Sequence, residues 1–312
     1  MIPEATSVLA PASPQGREVL DLFWIVLILA GVIFLVVTTL VITAVIRFRE
    51  RPGGPPPSTL DESITLEVVW TVIPTLILAA LFVLTVRVMH QVAPNPKDSR
   101  PDLRIVAHQW WWELHYPQYG VTSANEFHLP VQRQLLLRLE SADVVHDFWV
   151  PALGKKVDAI PGHPNALTLT IDHPGIFLGT CDEFCGAEHA WMRIRVIGQR
   201  ESDFEAWAEH QAQPAVEPST PDARRGAKLF LTKTCASCHT IAGTTADGTT
   251  GPDLTHLAGR QMLASGVLAN TPENLSKWIA DPQGIKPGCN MPDLHLDHSE
   301  VELLTAYLKE LQ

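Results

Sequence analysis

The sequence predicts a multi-domain membrane protein: a two-helix transmembrane hairpin, then an all-β sandwich, then an all-α domain. Three observations along its 312 residues predict this. Residues 22–46 are uncharged and exceed the roughly 20 residues that a bilayer-crossing helix needs, and 68–86 form a second uncharged stretch of about that length. Between Pro101 and Gly198 the apolar period falls to two. Beyond Pro221 helical spacing returns, around the pentapeptide CASCH.

The first domain, 1–95, holds the hairpin, with helices expected at about 20–47 and 66–90. A cleaved signal peptide is the rival for the first stretch. That stretch starts late, has no basic leader and is not followed by a small-residue cleavage site. Charge leaves the orientation open: Arg47, Arg49 and Arg51 lie between the spans, while Arg87, Lys97, Arg100 and Arg104 follow the second and blunt the bias. Glu67 opens the second span beside Trp70, where a carboxylate gains from the positive end of the helix dipole. Pro74 lies inside that span, where neighbouring helices can cover the carbonyl it frees.

Residues 96–200 read as short strands. Leu135, Leu137 and Leu139 alternate with Leu136, Arg138 and Glu140; Leu167, Leu169 and Ile171 with Thr168 and Thr170; Ile194 and Val196 with Arg193 and Arg195. Separated by Pro, Gly and Asn turns, such runs predict a half-buried all-β sandwich. Trp110, Trp111 and Trp112 on one strand would point to both faces, so at least one is expected in the core and at least one near the surface.

Near the end of this domain, CDEFCGAEHAWM from Cys181 to Met192 sets two thiols, an imidazole and a thioether in steps of four residues or fewer. Thiolates and thioethers select soft metals, and one Cys with two His and a weak Met makes a mononuclear copper centre. The second Cys changes the count, because two thiolates can each bridge two copper ions while Met192 caps one of them. The second imidazole must then come from upstream, and His146 in DVVHDFWVP is the candidate beside His189. A structural zinc site is the alternative, but such sites favour short CxxC pairs and do not recruit Met.

Residues 201–220 read as a linker, in which 201–211 could form a short amphipathic helix and QAQPAVEPST over 211–220 has the composition of a tether. The last domain, 221–312, carries CASCH at Cys235 to His239. This is the c-type haem attachment pattern: Cys235 and Cys238 would bond the haem vinyls and His239 would supply the proximal ligand. A redox-active CxxC disulfide does not require that His and wants a βαβ context, which is absent from the sequence pattern. Thr220 with Pro221 starts a helix expected to run through Gly226 and Phe230 to CASCH. Ser299 with Glu302 forms a capping box before a helix whose Val301, Leu304, Leu308 and Leu311 share a face.

Two terminal helices around a haem peptide are similar to class I cytochrome c, which implies a distal Met in a late loop. Met291 in GIKPGCNMPDL matches that family's loop before the last helix; Met262, in what reads as a helical or turn segment, is the alternative. The same likeness implies that the Pro252 carbonyl, in GPDLTHLAGR, accepts a hydrogen bond from the His239 ring. Trp278 reads as haem packing or as an ordinary core Trp. Of five cysteines, Cys289 is left over and reads as a buried free thiol.

The block from Cys181 to Met192, the upstream DVVHDFWVPALGKKVDAIPG and the aromatic run HQWWWELHYP resemble subunit II of haem-copper cytochrome c oxidases. The resemblance implies a cupredoxin fold whose ligand loop joins the last two strands. It implies the dinuclear centre called copper A on His146, Cys181, the Glu183 backbone carbonyl, Cys185, His189 and Met192. It further implies a magnesium or manganese ion on the Glu183 side chain at the subunit I interface. Electrons would enter at Trp110, which otherwise reads as packing, and Glu67 of EVVW would sit near the mouth of a proton pathway. Asp158 and Lys156 match a stretch near the same interface, with no role carried over.

With its fused haem domain the chain resembles the caa3 type. The implied function is to relay electrons from a donor, such as a cytochrome c or a quinol-oxidising complex, through haem c and copper A to the haem of subunit I. There oxygen is reduced to water, coupled to proton translocation. This sequence lacks the histidine-rich spans that an oxygen site needs. Implied partners are subunit I, subunit III and lipid; the implied place is the bacterial cytoplasmic membrane, with the copper and haem domains outside. Rival readings are a copper A type nitric oxide reductase and a membrane-anchored carrier with no oxidase partner. A copper chaperone is disfavoured, since delivery calls for a labile site and no haem. The net charge of −11 argues against a nucleic-acid partner.

Overall fold

The computed structural model describes residues 4–49, 52–53, 63–93 and 100–312, so Arg51 and Lys97 of the charge argument lie outside the described residues. The chain divides into two compact units, one of Arg17–Ala93 and one of Met1–Gly16 with Pro94–Gln312. After β1 (Glu4–Ala5) come α1 (Pro14–Arg47) and α2 (Ile64–Val92). Helices of 34 and 29 residues are roughly 50 and 45 Å long at 1.5 Å per residue, more than the hydrocarbon core of a bilayer. Both carry exposed apolar side chains, among them Phe34, Leu40, Leu78 and Phe82, a surface suited to lipid or to other spans. α1 starts earlier than expected because Ser13 Oγ accepts the Gly16 amide at 2.9 Å and Pro14 takes the first helical position. Glu67 lies exposed in the first turn of α2.

The sandwich is built from β2 (Leu103–His108), β3 (Trp111–Tyr116), β4 (Val121–Ala124), β5 (Glu126–Pro130), β6 (Gln134–Ser141), β7 (His146–Trp149), β8 (Lys156–Ala159), β9 (Asn165–Thr170), β10 (Gly175–Cys181) and β11 (Arg193–Gln199). One sheet runs β4-β3-β2-β6-β9 and the other β5-β11-β10-β7-β8, with β1 added in parallel to β10. The period-two pattern puts Leu135, Leu137, Leu139, Leu167 and Leu169 inside with Trp112, Phe127, Phe148 and Phe177. Each such buried side chain contributes about 1.5–3 kcal/mol, so the sandwich has a core of its own.

Residues before α1 are tied to this sandwich: Ala12 N–H donates to Ala152 O at 2.7 Å and Asp172 N–H to Ala12 O at 2.9 Å. The segments before α1 and after α2 fold together, which two spans permit and one would not.

The three tryptophans divide between core and surface as expected, but only Trp111 and Trp112 lie on the strand. Trp110 sits half-buried in the turn before β3, and both Trp111 and Trp112 are buried. Trp112 fills the core, while Trp111 stacks on His108 with ring centroids 4.4 Å apart. Successive strand residues face opposite ways, and here both faces are covered.

α3 (Glu201–Gln211) packs Phe204 and Trp207 on Tyr116, and Trp207 stacks on His128 at 4.1 Å. Next come α4 (Pro221–Thr232), α5 (Cys235–Cys238), the small hairpin of β12 (Met262–Leu263) and β13 (Leu268–Ala269), α6 (Pro272–Ala280), α7 (Pro282–Ile285) and α8 (His298–Leu308). Thr220 caps α4 by accepting the Ala223 amide at 3.1 Å, but that helix stops at Thr232, and the CASCH segment forms its own turn as α5. α4 and α8 approach closely at Gly226, where a Cβ would lie 2.0 Å from Leu303 O.

The capping box of α8 is Asp297 with Glu300, not Ser299 with Glu302: Asp297 Oδ1 accepts the Glu300 amide at 2.8 Å and Glu300 Oε2 accepts the Asp297 amide at 3.2 Å. Asp and Glu three apart offer the same reciprocal bonds two residues sooner. Val301, Leu304 and Leu308 are buried on α8 as expected, and Leu311 is buried beyond its end. Met262 lies in β12 and not in a helix, because Glu126 accepts its backbone amide at 2.8 Å.

Candidate copper and haem centres

β7 begins at His146 and β10 ends at Cys181. Their antiparallel pairing, with Cys181 opposite Phe148, brings the imidazole and the thiol to one end of the sheet. His146 Nδ1 lies 3.8 Å from Cys181 Sγ, Cys181 Sγ 3.8 Å from Cys185 Sγ, and Cys185 Sγ 3.6 Å from His189 Nδ1. The Glu183 carbonyl oxygen is 3.3 Å from Cys181 Sγ. Ligand atoms of His146, Cys181 and Cys185 all fall within 4.8 Å of one another. Met192, fully buried, accepts the Cys181 amide through its backbone oxygen at 2.9 Å. The loop from Cys181 to Met192 joins β10 to β11.

The outer nitrogen of His146, Nε2, lies 2.8 Å from Asp143 Oδ1, which fixes the ring so that Nδ1 faces the sulfurs. Hydrogen bonding with Cys185 pulls the Cys181 thiol well below the usual thiol range against its burial, with help from His146 and the backbone at Asp147 and Glu183. The same hydrogen bond, with burial, pushes Cys185 up. A thiol lowered in this way beside an imidazole favours the thiolate form that a soft cation binds. Two buried sulfurs side by side, flanked by two imidazoles and a backbone carbonyl, with a buried Met at the end of the same loop, fit a copper pair better than a four-ligand zinc site. The Glu183 side chain is exposed, as is Phe184 beside it.

Trp110 is placed on the same loop by a hydrogen bond: its Nε1 donates to Cys185 O at 3.0 Å, and Gln109 Nε2 donates to the same oxygen at 2.7 Å.

In the last module Cys235 and Cys238 are half-buried free thiols, and His239 Nδ1 lies 2.7 Å from Pro252 O. That bond leaves Nε2 as the free ring nitrogen. Burial lowers the His239 pKa, which keeps the ring neutral as a ligand must be. A Cβ at Gly251 would come within 2.6 Å of His239 Cε1, so only glycine fits against the ring. Met291 is half-buried in the loop before α8, where Gln283 Nε2 donates to Met291 O at 2.7 Å and Cys289 O at 2.8 Å. Cys289 and Trp278 are also half-buried. Paired thiols, an anchored imidazole and a late-loop thioether fit a covalent haem.

A curated protein from Alkalihalophilus pseudofirmus, cytochrome c oxidase subunit 2, is 34% identical over 99% of this chain and 92% of its own length. The chain belongs to the cytochrome c oxidase subunit II family. Cytochrome c oxidase subunit 2 of Bacillus sp. strain PS3 is also 34% identical, over 85% of this chain and 80% of its own. Three family models match in order: the subunit II transmembrane domain over 5–88, the subunit II periplasmic domain over 121–199 and cytochrome c over 223–312. Among solved structures, the periplasmic domain of subunit II (CoxB) of Bradyrhizobium japonicum is 30% identical, covers 36% of this chain and 95% of its own, and has a TM-score of 0.35. This subunit II is thus a membrane protein with two apolar helices, a cupredoxin-like sandwich and a cytochrome c module, a component of a haem-copper oxidase that transfers electrons beside a subunit I.

Several residues around the subunit II centres were not singled out from sequence. Asp143 had a local signal, three residues before His146; Gln109 had one beside Trp110. Asp147 had none: burial and the Asp158 carboxyl opposite it push its pKa well above the usual carboxylate range. Glu126, Lys286 and Asn290 act between distant segments, and no pattern in the chain announces them.

Proposed function

We propose that this subunit II takes electrons from an external donor into its cytochrome module and passes them to a copper A centre, then to the haem of subunit I, where oxygen is reduced to water with proton translocation. The single observation that carries the reading is the buried cluster of His146, Cys181 and Cys185, whose Cys185 carbonyl is bonded by both Gln109 and Trp110. When bound, the copper pair and the haem supply two one-electron carriers. His146, Cys181, the Glu183 carbonyl, Cys185, His189 and Met192 hold the first; Cys235, Cys238, His239 and Met291 hold the second. The sheet ends that carry His146 and Cys181 keep the donor atoms in one arrangement, so neither redox state is free to rearrange them. Trp110 is the point where electrons reach the copper loop. Exposed Glu183 offers a carboxylate for magnesium or manganese at the subunit I face, and Glu67 hands protons to a pathway in that subunit.

Residues 4–16 and the sandwich share one side of the membrane, which we assign as the outer side, with subunit III and lipid completing the assembly. The cytochrome module in the same chain gives the internal donor a high effective concentration. The test is metal analysis of the purified complex with electron paramagnetic resonance and parallel oxygen and nitric oxide assays. Two copper and one iron per chain, one electron spread over both copper nuclei and fast oxygen uptake are expected. Zinc, a single-copper spectrum or dominant nitric oxide turnover would overturn the reading.

A further inference from the structure

We propose that the loop Lys286–Met291 locks the cytochrome module onto the Gln109–Trp110 peptide, making Lys286 and Asn290 positioning residues for transfer between the two centres; this rests on the route given under Proposed function. Asn290, next to Met291, donates its Nδ2 to Gln109 O at 2.7 Å. The Gln109 and Trp110 side chains in turn bond Cys185 O. From the Met291 backbone to Cys185 the connection is therefore covalent or hydrogen-bonded at every step.

Two buried charges hold this joint. Lys286, 3% exposed, donates its Nζ to Trp110 O at 3.0 Å and to Trp191 O at 3.4 Å, and Ser265 Oγ donates to the same Trp110 carbonyl at 2.8 Å. Glu126 of the sandwich, also 3% exposed, accepts the Gln261 amide at 2.9 Å and the Met262 amide at 2.8 Å. These hydrogen bonds of each charge go to the other module. Burying a charge costs far more than a surface contact returns unless its partners are fixed. A module swinging out on the 212–220 tether would exchange these fixed cross-module bonds, together with those of Ser265 and Asn290, for bonds to water, and the charge-assisted bonds lost together oppose departure. The cytochrome is held in one pose, and transfer needs no search. Each passage removes one electron from the cytochrome side and adds one to the sandwich side, with no bond made or broken and no proton moved.

The experiment uses the full chain, loaded with copper and haem in detergent, with flash reduction of the haem and copper absorbance as the readout. The expected wild-type rate is independent of solvent viscosity and of salt. Lys286→Met with Asn290→Ala should slow transfer about tenfold and make it viscosity-dependent, with haem and copper spectra unchanged, which a folding defect would not allow. A wild-type rate that falls with viscosity, or a double variant as fast as wild type, overturns the lock. Hydrogen exchange at the Gln261 and Met262 amides reports the pose without redox chemistry: slow in wild type and fast in Glu126→Ala is expected, and fast exchange in wild type overturns the proposal. Slow exchange with no transfer in wild type would instead remove the route, and the transfer role with it, leaving the contact.

Discussion

In the sandwich, ligand atoms of His146 and Cys181, on strand ends that pair through a regular register, lie within 4.8 Å of one another and of Cys185 on the loop that follows. Behind them Trp112, Phe127 and Phe148 pack ring against ring. In the cytochrome module, His239 follows a single helical turn and Met291 sits on a loop held by side-chain bonds of Gln283, Lys286 and Asn290. Its aromatic core is Phe230 against Tyr307, at the crossing of α4 and α8. The proposed copper ligands thus start from paired strand ends over an aromatic core, whereas the proposed haem ligands stand on a short helical turn and a loop. A ligand on a paired strand end is fixed by the sheet; a ligand on a loop is fixed by whatever pins that loop, a bound group included.

The largest expected effect breaks the second half of that comparison. Cys235→Ala with Cys238→Ala, which prevents haem attachment, should leave residues 221–312 rapidly exchanging in hydrogen-exchange mass spectrometry while the sandwich stays protected. Equal protection of both would show that the cytochrome module folds without its haem. Next, Cys185→Ser should abolish the dinuclear copper spectrum and lower copper below two per chain, yet leave the circular dichroism of the sandwich intact, since its hydrophobic core does not change.

A smaller effect sharpens the point about orientation. Asp143→Asn keeps the shape beside His146 Nε2 but removes the charge, and a lost support of this kind costs about 10–100-fold in metal affinity. Competition with a copper chelator measures it; an unchanged affinity would mean that the ring is fixed by packing alone.

The mildest prediction concerns pH. Burial lowers the His128 pKa from 6.5 to about 4, so the native ring is neutral where the unfolded one is already charged. The unfolded state then binds more protons between those values, and stability is full above 6.5 and declines as pH falls toward 4. Melting followed by tryptophan fluorescence from pH 7.5 to 4.5 should show this slope, reduced in His128→Gln.

Much of this was legible in the chain. Uncharged stretches, period-two strands, the Cys181 to Met192 spacing and CASCH are local patterns, and each implies its element through burial or ligand chemistry. The boundaries were less so. The box at Asp297 competed with an equally well-spaced one at Ser299, and the start of α1 depended on Ser13, which also donates to Leu153 O at 2.8 Å across the fold. The helix expected over 201–211 did form, with Phe204 and Trp207 packed on Tyr116 and His128.

The sequence by itself determined which elements form and which side chains are chemically fit to bind copper and haem, because spacing along a strand, helix or short loop is fixed by backbone geometry. Only the tertiary structure decided where Trp110 hydrogen-bonds, that Asp147 lies buried beside Asp158, and that Lys286 and Glu126 face another module. Those relations join residues up to 176 positions apart. They arise from the packing of whole elements, which no local pattern encodes.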